Sequence, residues 1–152
     1  MSICTFFGHR QCPSSIKPNL KNVLINLIEH QEVNVFYVGN QGSFDDMVHS
    51  VLCELSQQYS HITYAVVLAY LPSESKGDLS QSQDYTDTIY PEGIETVPKR
   101  FAIDWRNRWM LKQADYVVTY ITHSWGGAAK FAEKANKLKK YCPACIIKNF
   151  IY

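Results

Sequence analysis

Three short stretches hold residues whose types and spacing suit the capture of phosphate or a similar anion. They are Gly8-His9-Arg10-Gln11, Gly39-Asn40-Gln41-Gly42-Ser43-Phe44-Asp45 and Thr122-His123-Ser124-Trp125-Gly126-Gly127. Glycine lets the backbone come close to a bound group, and the unpaired N–H groups at the start of a following helix attract negative charge. Gly126-Gly127 is the best placed of the glycines, although such a pair between strand and helix also occurs as a plain tight turn. Arg10 follows directly on an apolar run, where a cation has little structural use but can reach an anion held by neighbouring loops; the competing role is an ion pair with a surface carboxylate. His9 serves equally well as a hydrogen-bonded loop anchor, and Asp45 as an acceptor for ribose hydroxyls or as a helix N-terminal cap. The indole of Trp125 suits stacking on a base or packing against an acidic segment.

The elements that must position these loops are legible as alternating strands and helices. Residues 2–7 form an apolar, β-branched run that stops at Gly8, and Leu20, Val23, Leu24, Leu27 and Ile28 then recur at helical spacing. Val33–Val38 is a second apolar run, followed by Phe44, Met47, Val48, Val51, Leu52 and Leu55 on one helical face, with Asp45 and Asp46 suiting the first turn. Ile62–Leu71 is continuously apolar, as expected of a parallel strand covered on both faces. Residues 73–98 show no period and are acidic, with Glu74, Asp78, Asp84, Asp87, Glu92 and Glu95 against Lys76 alone; the segment reads as a long connection able to serve as a lid. A helix over Lys99–Ala114, a strand over Tyr116–Ile121, a helix over Gly127–Lys140 and a strand over Cys145–Ile151 complete the series. Such alternation predicts an α/β fold: a single three-layer Rossmann-like domain over residues 1–152 with a parallel sheet of about five strands. In open parallel sheets ligands bind beyond the carboxyl ends of the strands, the edge that all three loops share.

Composition narrows the function classes. At 152 residues, 46% apolar and 19% charged, the chain can bury one core, and neither disorder nor a coiled coil fits. Fifteen Lys and Arg against fourteen Asp and Glu leave a net charge of +1, without the broad basic field of a general nucleic-acid binder. Lys130, Lys134, Lys137, Lys139 and Lys140 make the last helix locally basic; such runs are most often solvated faces, and the aromatics and arginines of a single-strand groove are not evident beside them. The start of the chain lacks the plan of a signal peptide and no run is long enough to span a membrane, so a cytoplasmic location is expected. Five cysteines without dense spacing fit free thiols. Cys142-Pro-Ala-Cys145 has redox-like spacing but follows a helix end, where a core and turn role is favoured, and a zinc site there would need further ligands such as Cys4 and Cys12. No metal and no cofactor is expected.

The loop residues resemble those of the SLOG superfamily, the Rossmann-like group that includes Lonely Guy phosphoribohydrolases, DprA-like proteins and YpsA-like proteins. Cys4-Thr5-Phe6-Phe7-Gly8-His9-Arg10 and the stretch from Phe36 to Asp45 resemble the opening and the second strand with its glycine loop in YpsA-like members. Arg106, Met110 and Asp115, followed by Gly126-Gly127 and Glu133, keep the order and spacing of the Lonely Guy pattern R-x3-M-x4-D and GG-x-GT-x2-E. The resemblance implies that the glycine loop holds phosphate and that Arg106 and Glu133 correspond to the catalytic pair of an N-glycosidase acting on nucleoside 5′-monophosphates. The catalytic loop is altered: Ala129-Lys130 replaces its Gly-Thr, and Trp125 stands where the family has proline. By its position Arg106 shares a mostly buried helix face with Ala102, Trp109, Met110 and Gln113 and needs an anionic partner, for which Glu133 is the obvious choice.

The reading that follows is a binder of a nucleotide or an NAD- or ADP-ribose-derived small molecule, acting as a sensor or sequestering protein, as some superfamily members do in nucleotide signalling or phage defence. The alternative is a phosphoribohydrolase using Arg106 and Glu133. The expected ligand-binding residues are Gly8, His9, Arg10, Gly39, Asn40, Gly42, Ser43, Asp45, Arg106, Ser124, Trp125, Gly126, Gly127 and Lys130. Nucleic acid is not expected as the partner, and the resemblance implies a homodimer, with Phe101, Trp105 and Trp109 as contact or core residues.

Overall fold

The computed structural model describes residues 2–70 and 88–137. Its first strand, β1 (Ile3–Gly8), is buried along nearly its whole length, which explains its unbroken apolar sequence. A short 3₁₀ turn leads into α1 (Lys17–His30), whose first turn holds Pro18 where no intrahelical donor is needed and whose buried residues are Leu20, Leu24, Leu27 and Ile28. Then come β2 (Val35–Val38), α2 (Ser43–Gln58) and β3 (Thr63–Val67). Beyond the undescribed residues the chain continues with β4 (Thr88–Ile89), two 3₁₀ turns, α3 (Ala102–Gln113), β5 (Tyr116–Tyr120) and α4 (Gly127–Lys137).

The five strands form one parallel sheet in the order β4-β3-β2-β1-β5. The α/β class and the five-stranded parallel sheet expected from the sequence are thus present. The chain steps outward from β1 to β4 and then returns to lay β5 on the other flank of β1, in register from Cys4 beside Tyr116 to Gly8 beside Tyr120. This reversal opens a crevice beyond the carboxyl ends of β1 and β5, where successive connections leave in opposite directions. A large apolar cluster joins one face of the sheet to α1 and α2, and a second joins the other face to α3 and α4 through Phe7, Val117, Met110 and Phe131.

One strand differs from expectation in identity. The edge strand β4, Thr88–Ile89, lies inside the segment read as a connection and pairs through Val66 beside Thr88 and Val67 beside Ile89. Two residues are too short to show a period, so only pairing with β3 reveals them. The expected strand at Cys145–Ile151, the pair Cys142 and Cys145, Lys139, Lys140 and most of the acidic connection lie outside the described residues. The third strand is also shorter than its apolar run: Leu68 and Ala69 are buried beyond its end, with Leu68 N–H donating to the Ile89 carbonyl at 2.8 Å. No helix among the described residues is long and apolar enough to cross a membrane.

The end of β1 depends on a missing side chain. A Cβ at Gly8 would overlap the ring of Phe44, which is fully buried at the start of α2. Gly8→Ala is expected to cost about 1–3 kcal/mol by overpacking, read as a lower urea midpoint. Combined with Phe44→Leu it should cost less than the sum of the two single changes, because the second change makes room for the first.

Candidate functional site

Ser43 laces the first two loops together. Its hydroxyl donates to the Arg10 carbonyl at 2.7 Å and accepts from the Cys12 N–H at 2.8 Å, while its own N–H donates to the same Arg10 carbonyl at 2.7 Å. Gly42, with φ +99°, permits that approach; a Cβ there would stand 2.6 Å from the Arg10 Cα. Cys12 lies in the same lacing, and burial raises its thiol pKa to about 11, away from thiolate chemistry.

Asp45 sits in the first turn of α2, and its carboxylate accepts from the Gln41 N–H at 2.9 Å, a back-contact of capping-box type. Arg106, 2% exposed, reaches from α3 to the ends of β2 and β3. Its Nη1 donates to Asn40 Oδ1 at 3.0 Å and to the Val67 carbonyl at 3.4 Å, and its Nε donates to Asn107 Oδ1 at 3.2 Å. A Cβ at Gly39 would meet both Asp45 Oδ2 and the Arg106 guanidinium, so this glycine makes room for the pair. Burial pushes the Asp45 carboxyl up to about 6, against the Gln41 N–H and the Arg106 charge, which pull it down. Burial likewise lowers the pKa of Arg106, with Asp45 opposing.

A cavity of about 610 Å³ lies beyond β1 and β5, at the switch in strand order. Its wall includes Gly8, His9, Arg10 and Gln11 from the first loop, Gln41 and Asp45 from the second, and Trp125, Gly126, Gly127 and Ala128 at the start of α4. Ile103, Arg106, Asn107 and Met110 face it from α3 at i, i+3, i+4 and i+7 spacing. At the rim three rings stack: His9 on His123 at 3.6 Å between centroids, and His123 on Trp125 at 3.7 Å, with planes within 20°. His123 N–H donates to His9 Nε2 at 3.4 Å, and the His123 Nδ1 pairs with the Trp125 carbonyl at 2.9 Å. Burial, and then the neighbouring His123, lower the pKa of His9 and favour a neutral acceptor ring. The inner end of the stack is buried, whereas Trp125 at its outer end is 70% exposed.

The structure thus brings Gly8, His9, Arg10, Asp45, Arg106, Trp125, Gly126 and Gly127 to one cavity. Gly39, Asn40, Gly42 and Ser43 stand behind it, making room for, bonding or joining the residues that face it. Ser124 is exposed outside the cavity wall, and Lys130 bonds Asp104 across to α3 at 2.8 Å. The expected partnership of Arg106 with Glu133 is absent: Glu133, its side chain 70% exposed, pairs with Lys137 on the outer side of α4, while Arg106 is satisfied from β2, β3 and its own helix. His123 and Asn107 were missed by sequence reasoning. Two flat rings two residues apart beside a glycine pair were a usable signal for His123, as was the i, i+3, i+4, i+7 face for Asn107.

No family model matches the chain, and no curated protein matches it. Among solved structures it is similar to DNA processing protein A (DprA) from Streptococcus pneumoniae, at 15% identity and TM-score 0.59, over 90% of this chain and 47% of that one. It is also similar to DNA processing protein A from Helicobacter pylori, in a structure concerned with a single-stranded DNA binding mode, at 14% identity and TM-score 0.56, over 90% of this chain and 62% of that one. The shared feature is the Rossmann-like fold, and the chain spans 47% and 62% of the length of those two proteins. This finding overturns two expectations: a small-molecule nucleotide sensor as the function, and nucleic acid as an unexpected partner. The neighbours are DNA-processing proteins, one of them described by its binding of single strands.

The Asp45–Arg106 pair gives a pH test. A carboxyl raised from 3.8 to about 6 binds more protons folded than unfolded, so its contribution to stability is present below the unfolded pKa and is lost as pH rises through the folded one. Asn at this position keeps an acceptor for Gln41 N–H without titrating. Asp45→Asn is therefore expected to gain stability relative to the natural protein as pH rises from 3.8 to about 6 and to hold a constant difference above. Urea midpoints across that range would show the opposite slope if the Arg106 charge outweighs burial.

Proposed function

We propose that this chain is a single Rossmann-like domain of the SLOG class over residues 1–152, and that it binds single-stranded nucleic acid at the carboxyl edge of its sheet. The observation that carries the reading is the outward face of Trp125, backed by His123 and His9 at the rim of a cavity that also presents Arg10. An indole held flat by two stacked rings has its orientation set before a base arrives, so less freedom is lost on stacking. The sequence tolerance of such stacking suits a single strand, whose bases expose their faces, rather than a duplex, whose bases are already stacked. Arg10 is exposed beside the platform, and the start of α4 offers its first N–H groups where Gly126 and Gly127 allow close approach. The likeness to DNA processing protein A supports the reading through the shared fold, one of those structures being described by its single-stranded DNA binding mode.

The lysines of α4 take a smaller part than a basic helix would suggest. Lys130 is bonded to Asp104, Lys137 to Glu133, and Lys134 lies over the Phe131 ring at 5.2 Å, so among the described residues Arg10 is the exposed cation in the cavity wall. A net charge of +1 then calls for a local footprint, with a salt dependence set by few phosphate contacts.

Fluorescence anisotropy with a labelled oligothymidylate at low ionic strength tests the proposal. The protein is expected to bind; Trp125→Ala should weaken binding by about 1–3 kcal/mol. Arg10→Gln should reduce the slope of log affinity against log salt by about 0.7. No binding at low salt, or binding indifferent to both changes, overturns the reading.

A further inference from the structure

Two large apolar side chains stand out as exposed among the described residues: Trp125 and Phe101, the latter 51% exposed. Phe101 ends the 3₁₀ turn that enters α3. Because α3 leads into the start of β5, its own start lies at the carboxyl edge of the sheet, the edge that carries Trp125. The two helix starts are pinned together by the 2.8 Å bond between Lys130, one turn into α4, and Asp104, one turn beyond Phe101. Phe101 also comes with its own cation: the Arg100 guanidinium lies 4.8 Å from its ring centroid, while Lys99 is turned to the Tyr70 ring at 5.4 Å. The carboxylate nearest in sequence, Asp104, is matched by both Arg108 at 2.9 Å and Lys130.

We infer that Phe101, with Arg100, is a second stacking platform, so that a single strand runs along the carboxyl edge from Trp125 to the start of α3. The inference rests on the single-strand reading above and extends it from one base to a path. An exposed ring with a guanidinium beside it is complementary to a strand that alternates flat bases with anionic phosphates. A second copy of this chain fits the same patch poorly. Of the three aromatics expected to form a dimer contact, Trp109 packs on Tyr37 at 5.5 Å and Trp105 is half-buried against the Gly93 turn, leaving Phe101 alone. One half-exposed ring falls far short of the roughly 800 Å² per partner of a stable interface.

The test compares oligothymidylates of about 4 and about 20 nucleotides, a range spanning the site sizes of single-strand binders. Phe101→Ala is expected to weaken the long oligonucleotide by about 5- to 150-fold while leaving the short one unchanged. Trp125→Ala should weaken both. Phe101→Tyr, which keeps the ring, should restore long-strand affinity, whereas Phe101→Leu, which keeps only apolar bulk, should not. If Phe101→Ala leaves the long strand unaffected while Trp125→Ala weakens it, the second platform is overturned and the single-strand reading stands. If the natural protein binds neither oligonucleotide, both fall. If Phe101→Ala converts a dimer to a monomer on sizing with strand affinity unchanged, the surface belongs to a second copy and the inference is overturned.

Discussion

Arg106 is a cation almost wholly removed from water, and such a charge stays buried only where its donors are met. It is met from three places at once: the Asn40 amide after β2, the Val67 carbonyl at the end of β3, and Asn107 beside it on α3. Those bonds hold the start of α3 to the carboxyl ends of two strands, which fixes where Ile103, Asn107 and Met110 stand around the cavity. Asp45 completes the arrangement from α2, tied to Gln41 and facing the guanidinium past the missing side chain of Gly39. Loss of any of these groups would leave a buried polar atom uncompensated, so the cluster ties the two helical layers to one sheet edge.

The remaining walls follow from strand order. With β1 between β2 and β5, the loops after β1 and β5 emerge side by side, and His9 and His123 meet although 114 residues separate them. Ser43 closes the opposite side by holding the first loop to the second through both its hydroxyl and its N–H. What is left facing outward is a flat indole, a cation and a helix start. This combination is what the proposed single-strand site rests on, while the likeness to DNA processing protein A lies in the fold.

Much of this was legible in the residues. Apolar runs ending at Gly8 and Gly39 located the first two strands, and helical spacing located α1 and α2, because fully covered parallel strands and half-covered helices leave different periods. The same logic placed the three special loops on one edge. It could not find Thr88–Ile89, whose two residues carry no period, nor separate side chains that face a cavity from those that build it. Ser43 and Asn40 look like ligand groups in sequence because short polar side chains in glycine loops serve either purpose; their partners decide, and here those partners are the Arg10 carbonyl and Arg106.

The sequence by itself determined the α/β class, the parallel sheet and the edge at which a site must lie, since these depend on local hydrophobic period and on chain handedness that every sequence obeys. Tertiary structure alone decided the chemistry of that edge. It turned Glu133 outward to Lys137, gave Arg106 to Asn40 and Val67, and stacked His9, His123 and Trp125 into one platform. Spacing along a chain says which residues share a strand end or a helix face, but the partner across a gap depends on strand order and on which neighbouring side chain is absent.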